Sequence, residues 1–393
     1  EGSGLQLSRF NGFVYAVKVS CFELRVSGSL QEESEILFNR RIDKRVEEIA
    51  PFLTYDSDPY LVIDSGKLFW IYDAYTHTDH YPYSDPFDGF NYIRNAVKVV
   101  IDAYTGDTVF YVVDNSDPLV TTYQSIFPSL FKDFSEMPEG LQNHIRYPED
   151  IFSVQASKYA TYHMKDPRVF YNTEDVWNTP SEIYRSSLQQ VDPYYVIMKL
   201  PDEKQEEFIL MLPFVPRNKD NMIGWMAARA DKEHYGKMTV FLFSKQELVF
   251  GPSQIEARID QDTEISQLIT LWGQSGSEVI RGNLLVIPLE NSILYVEPLY
   301  LQASQRAVPE LKRVIVAFGN KLTMQKTLED GLNVIFGASK EQPEETEKTV
   351  AELIKEANAL YQRAQELLRQ GDLAGYAQQI EKLGKLLREL ETT

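Results

Sequence analysis

Residues 282–301 read Gly-Asn-Leu-Leu-Val-Ile-Pro-Leu-Glu-Asn-Ser-Ile-Leu-Tyr-Val-Glu-Pro-Leu-Tyr-Leu, and no other stretch narrows the fold as much. Residues 284–289 are nearly all apolar. Glu290, Asn291 and Ser292 turn the chain, and residues 293–301 return it. A continuous apolar run bounded by turn residues suits a strand covered on both faces. The chain therefore needs a sheet with layers above and below it. Nothing in the stretch is chemically reactive.

Other hairpins follow the same logic. Residues 60–63 and 68–75 flank Asp64-Ser65-Gly66, where glycine supplies a positive φ. Residues 97–103 and 108–113 flank Tyr104-Thr105-Gly106-Asp107, with a long polar loop, 76–90, between the two hairpins. Residues 193–212 form a third hairpin, turning at Pro201-Asp202-Glu203. Further strands are expected at 238–243, 255–260 and 314–318, the second because Ile255-Glu256-Ala257-Arg258-Ile259-Asp260 alternates apolar and charged residues.

Helical spacing appears at 8–19, at 32–50 (Ile36, Leu37, Val46 and Ile49 facing inward, Pro51 as the stop), and from Pro148-Glu149-Asp150 through Phe152, Ala156, Tyr159 and His163. Short helices are expected at 220–229, capped by Asp220 or Asn221, at 265–272 and at 328–336, which Gly337 ends. Hairpins with separated helices specify an α+β fold of antiparallel or mixed sheets. The domain reading is a core over 1–340, with an internal boundary near 180–192, and a C-terminal helical hairpin over 341–393. That hairpin has one apolar stripe per helix around Gly371-Asp372 and is too small to bury both stripes alone.

At 393 residues, two or three folding units are expected. The net charge of −19 repels nucleic acid and anionic lipid surfaces. Cys21 stands alone, so no internal disulfide or cysteine-rich metal site can form. No apolar run approaches the roughly 20 residues that span a bilayer. Beginning at Glu1 rather than at methionine, the sequence is expected to be a processed or excised piece of a longer one.

Several stretches resemble a single family. They include Arg45-Val46-Glu47-Glu48-Ile49-Ala50-Pro51-Phe52-Leu53, Tyr92-Ile93-Arg94-Asn95-Ala96-Val97-Lys98 and Ile145-Arg146-Tyr147-Pro148-Glu149-Asp150. Tyr159-Ala160-Thr161-Tyr162-His163-Met164, Val169-Phe170-Tyr171-Asn172, Met211-Leu212-Pro213-Phe214 and Lys219-Asp220-Asn221-Met222-Ile223 add to them, as do residues 254–262 and 280–288. Together they resemble uncharacterised protein family 0182 of bacteria, nearly end to end. The resemblance implies a soluble extracytoplasmic region of a large multi-pass membrane protein, attached through N-terminal helices that this chain lacks. It brings no activity, and so no catalytic or cofactor-binding residues.

Three neighbourhoods carry chemistry-bearing side chains. His77-Thr78-Asp79-His80, with Asp85 and Asp88, has the ligand types for a divalent ion, although the spacing matches no metal motif and a solvated loop is the plainer reading. Glu256, Asp260, Asp262 and Glu264 offer oxygens suited to Ca²⁺, without a calcium-binding loop. Their plainer reading is a surface paired with Arg258, Asp262 capping the next helix. His163 with Glu149, Asp150 and Asp166 has the makings of a general base, but no nucleophile accompanies it. The metal and cofactor assignments stay open. Aromatic residues that read as exposed (Tyr72, Tyr75, Tyr81, Tyr83, Tyr92, Tyr104, Trp177, Tyr194, Tyr195) suit either a binding surface or the core, and the core or its rim is the plainer reading for most of them.

The reading that follows is a non-enzymatic extracytoplasmic module that binds a partner, a small ligand or its own copies. The alternative is a metal- or carboxylate-dependent hydrolase of cell-envelope material, which requires the acidic and histidine neighbourhoods to converge. A gate or sensor for a transporter-like membrane part is the third reading. Because the helical tail needs a surface to dock on, deleting residues 341–393 is expected to lower the core's unfolding midpoint or abolish assembly. A truncated chain that keeps both, by thermal melting and light scattering, would remove the docking role.

Overall fold

Strands covered on both faces run through the middle of the larger sheets in the computed structural model. It describes residues 4–23, 34–201, 203–244, 248–274, 277–289, 292–303 and 308–337, with the single positions 27, 246, 360 and 362. The expected helical hairpin over 341–393 therefore lies outside the described residues, apart from Leu360 and Gln362. Residues 1–312 with 317–319 form one compact unit, and residues 313–316 with 320–393 a second.

Besides two two-stranded sheets, three larger ones have strands in the first unit. In one, Lys67–Thr78 pairs with Tyr92–Asp102, which pairs with Thr108–Val112, and both Thr54–Tyr55 and Tyr60–Asp64 join Lys67–Thr78, all antiparallel. Phe131–Asp133 adds the one parallel step, against Thr108–Val112. The two expected hairpins are both here, and Ser65, Gly66 and Gly106 take the positive φ their turns need. Along Tyr92–Asp102, Val97, Val99 and Ile101 pack with Val46 of the Ile42–Ile49 helix and with Ala50 at its C-terminal cap. Val100 faces the other way, into a cluster with Val62, Ile71, Met137 and Leu141. Alternate residues thus feed two cores, which is why the strand reads as a continuous apolar run.

The second sheet is ordered Tyr194–Lys199, Glu206–Pro216, Gly224–Arg229, Met238–Leu242. It too is covered twice. Leu210, Leu212, Phe214, Met226 and Ala228 pack with Phe152 and Ala156 of the Glu149–Tyr162 helix. Ile209, Met211, Trp225 and Ala227 pack on the opposite side. In the third sheet Leu285–Leu289 pairs with Ser292–Ala303, the hairpin that most constrained the sequence, and Ser277–Arg281 pairs with the same long strand. In the second unit Leu328–Phe336 is helical. Thr327 accepts the amide of Asp330 at 3.1 Å, and Gly331 leaves room for Val316, whose Cγ2 would lie 2.6 Å from an added Cβ. Helices stand apart from antiparallel or mixed sheets, and the fold is α+β.

Three expectations are corrected. Residues 220–229 do not form a helix: Gly224–Arg229 is a fully buried strand between two others, because six successive buried side chains need cover on both faces. Residues 255–260 are not a strand but part of the Pro252–Gln261 helix. There the alternation is a 3.6-residue pattern, with Ile255, Glu256 and Ile259 on the buried side. The 32–50 helix shrinks to Ile42–Ile49. Asn39 takes a left-handed φ of 47°, and the carbonyls of Phe38 and Asn39 accept hydrogen bonds from Arg45 instead of from helical amides. Val46 is buried as expected, but Leu37 and Ile49 are exposed.

Gly224 is required by this packing, since a Cβ there would run into the carbonyl oxygen of Phe241 in the neighbouring strand. Gly273, on an exposed helix position, has nothing within 4 Å. Gly224→Ala is therefore expected to destabilise the chain by about 1–3 kcal/mol. Gly273→Ala is expected to stabilise it by about 0.5–1 kcal/mol. Urea unfolding of both variants checks the opposite signs.

Candidate functional site

The register of the first sheet sets Asp73 directly opposite Lys98. Paired residues project from the same face, so the two side chains meet. They do so out of water, at 2% and 1% exposure. Lys98 Nζ donates to Asp73 Oδ1, to the Tyr235 hydroxyl at 2.8 Å and to the Arg146 carbonyl at 3.4 Å. Its three hydrogens are all used. A register shift between Ala74 and Thr76 marks a bulge opposite Asn95 and Ala96. Asn95 turns its amide onto Asp73 Oδ1 at 3.0 Å and the Ala74 carbonyl at 3.3 Å. Burial pushes the Asp73 carboxyl up, and Lys98 opposes that.

A second polar layer continues from this pair. Tyr75 donates to Asp56, and Asp56 accepts the amides of Asp58 and Asp150 at 3.0 and 3.1 Å. Asp150 accepts both the amide and the hydroxyl of Ser57 at 2.7 Å. Arg146 pairs with Asp58 and lies between two rings, 3.9 Å from the centroid of Tyr60 and 4.7 Å from that of Tyr195. Glu149 and Asp150 open the Glu149–Tyr162 helix, where the dipole favours negative charge. Even so, burial and then the neighbouring Asp58 push Glu149 up to about 7, against Arg146.

Beside the Lys98 cluster is a cavity of about 710 Å³, large enough for a small organic ligand. One wall comes from strand Tyr92–Asp102 through Ile93, Arg94, Asn95 and Lys98. A second comes from helix Glu149–Tyr162 through Ile151 and Gln155, and a third from the 231–237 loop through Lys232 and Tyr235. Tyr147 donates to Gln155 Oε1 at 2.8 Å and so fixes that amide at the wall. Tyr235 is 36% exposed as a residue, but its hydroxyl is turned inward onto Lys98.

The neighbourhoods singled out in the sequence are engaged elsewhere. His77 shares a 2.8 Å hydrogen bond with Thr54, His80 pairs with Asp79, and Asp85 pairs with Lys158. Glu256 and Asp260 do share a face, but as helix neighbours four apart, and their partner is Arg281 rather than Arg258. Arg281 reaches Glu256, Asp260 at 2.8 Å and Glu297 at 2.6 Å. Arg258 instead donates to the Gly319 carbonyl at 2.9 Å. Asp262 caps the next helix, as expected, accepting the amides of Glu264 and Ile265. His163 caps the C-terminal end of the helix that Glu149 and Asp150 begin, about 20 Å away along its axis at 1.5 Å per residue. Asp166 caps the following helix. His163 stacks on Trp177 at 3.7 Å and has Asp175, not Glu149 or Asp150, as its carboxylate neighbour at 3.8 Å.

Glu203, Glu207 and His234 bring ligand atoms within 4.8 Å of one another. Arg229 already donates to both carboxylates, so a guanidinium occupies the place a metal ion would take.

Sequence reasoning missed Lys98, Asp73, Arg146 and Arg281. A signal was present for the first two: each is a lone charge inside an apolar strand, and such a charge is buried only when paired. Glu149 gives a test of the polar layer. Its unfolded carboxyl ionises near 4.5 and its folded one near 7, so its contribution to stability is intact below pH 4.5 and lost as pH rises to 7. Glu149→Gln should remove that loss. Relative to the parent, the variant gains about 1 kcal/mol at pH 8, after discounting for solvent screening, and nothing near pH 4. Urea midpoints across the pH range measure it.

The family model described as "Uncharacterised protein family (UPF0182)" matches residues 1–272. A UPF0182 protein of Methanospirillum hungatei is 53% identical over 400 residues, covering 98% of this chain and 44% of the relative. That of Pelotomaculum thermopropionicum is 52% identical over 404 residues, covering 99% and 44%, and that of Trichodesmium erythraeum 46% identical over 411, covering 98% and 45%. The chain thus spans less than half the length of these curated relatives. No solved structure matches. On this similarity the chain belongs to the UPF0182 family.

Proposed function

We propose that this chain is the extracytoplasmic part of a multi-pass membrane protein, and that it acts as a ligand-interaction module. The membrane part of the reading rests on the family resemblance, together with the large share of each relative that lies outside the matched region. Among the described residues no helix is long and apolar enough to cross a membrane.

The observation that carries the binding role is the 710 Å³ cavity with a charged, fully hydrogen-bonded floor and largely apolar walls. Sites for small ligands combine apolar lining with a few fixed polar groups in this way. The hydrolase reading called for histidines and carboxylates converging on one cleft. Each neighbourhood is instead taken up by its own partners, and binding is the better-supported role.

Ile93 lines the cavity from a half-buried position. Compounds from a fragment collection that raise the melting midpoint of the purified chain should lose that effect in Ile93→Trp, which fills the space. A ligand at a hundredfold excess over its Kd adds about 2.7 kcal/mol, enough for a clear shift. A variant that folds normally and keeps the full response would place binding elsewhere.

A further inference from the structure

The cavity has a direction. Its interior residues are buried: Lys98, Tyr147, Ile151 and Ala230 are each under 9% exposed. Its two other cations, Arg94 and Lys232, have side chains 53% and 48% exposed and so stand at the mouth. Lys98 has no hydrogen left for a ligand, because Asp73, Tyr235 and the Arg146 carbonyl take all three. Any charge on a ligand must therefore be met at the mouth.

The mouth cations are held loosely. Arg94 meets Asp114, which also lines the cavity, at 3.3 Å and interacts with the Tyr92 side chain, and Lys232 meets the 86% exposed Glu139 only at 3.9 Å. Exposed pairs of this kind are worth little, so an incoming anion displaces them at small cost. Below the mouth, Ile93, Val113, Phe134, Ile145 and Ile151 offer apolar wall. The chain's overall negative charge does not decide the matter, because beyond about 8 Å charges are screened at physiological ionic strength.

Resting on the binding role proposed above, we infer that the ligand is a single-chain amphiphile with an anionic head, the head at Arg94 and Lys232 and the apolar chain along the inner wall. A cationic head meets two like charges there against one lining carboxylate, Asp114, which Arg94 already holds. A neutral head accepts at most an ordinary hydrogen bond from the two cations, without the ion pair that an anion forms.

Octanoate, octan-1-ol and octylamine at pH 7 share one chain and differ in the head. Titration calorimetry of each against the purified chain is expected to show octanoate binding tightest. Lys232→Glu, a substitution at an exposed site, should weaken octanoate about tenfold and leave octanol unchanged, and Ile93→Trp should abolish both. Equal binding of octanoate and octanol, or preference for octylamine, would overturn the anionic head while leaving the cavity as the binding site. Octanoate binding that survives Ile93→Trp would overturn the inference and remove the cavity from the binding role. Absence of binding by all three, with fragments still binding in an Ile93→Trp-sensitive way, would overturn the amphiphile and keep the cavity.

Discussion

An ammonium group shut away from water must be neutralised where it stands, and much of this structure is arranged around that requirement at Lys98. Asp73 does it from the register-paired position on the next strand. The other two hydrogens of Lys98 go to segments far away in sequence, the carbonyl of Arg146 and the hydroxyl of Tyr235. One atom thus fixes the sheet, the approach to the Glu149–Tyr162 helix and the 231–237 loop relative to one another. These are also the three walls of the cavity. Removing one partner of a buried pair costs roughly 3–5 kcal/mol, whereas replacing the whole pair with apolar groups is often neutral. The pair therefore does more to fix geometry than to add stability.

The same device recurs in the first unit. Arg281 ties the Pro252–Gln261 helix to the third sheet through Glu256, Asp260 and Glu297. Arg229 ties strand Glu206–Pro216 to the turn that precedes it through Glu207 and Glu203. In a chain with 58 acidic and 39 basic side chains, Arg229 and Arg281 each draw more than one carboxylate. The surplus shows in Glu297, which burial pushes up to about 7 despite Arg281 beside it. Acidic composition thus acts inside the protein as well as on its surface.

The hairpins, the α+β class and the Glu149–Tyr162 helix were legible because turn chemistry and periodicity are local. What failed was the assignment of segments whose type depends on neighbours. Gly224–Arg229 has helix-permitting residues, and only cover on both faces makes it a strand. Ile255–Asp260 alternates by coincidence over six residues, too few to separate a period of 2 from one of 3.6. The candidate site was less legible still. Glu256 and Asp260 were found, but their partner Arg281 is far along the chain, and ion pairing carries no sequence spacing. Lys98 and Tyr235 are 137 positions apart, so only the fold brings them together.

The position of the cavity follows from how the two cores meet. On the Lys98 face of the first sheet, Val100 belongs to the cluster built with Met137 and Leu141, while Tyr75 belongs to the cluster built with Phe152 and the second sheet. Lys98 and Asp73 lie between them. The cavity lining has the same division: Phe134 and Ile145 pack against the first cluster, whereas Ile93, Tyr147, Ile151 and Ala230 belong to or pack on the second. The polar pair therefore sits at the seam of two apolar cores. An apolar side chain pushed into that seam would strip Lys98 of its hydrogen bonds, and an unpaired buried charge costs far more than a void. Close packing stops at the seam for that reason. What it leaves is a space with apolar walls, a charged floor already satisfied, and two exposed cations, Arg94 and Lys232, at its mouth.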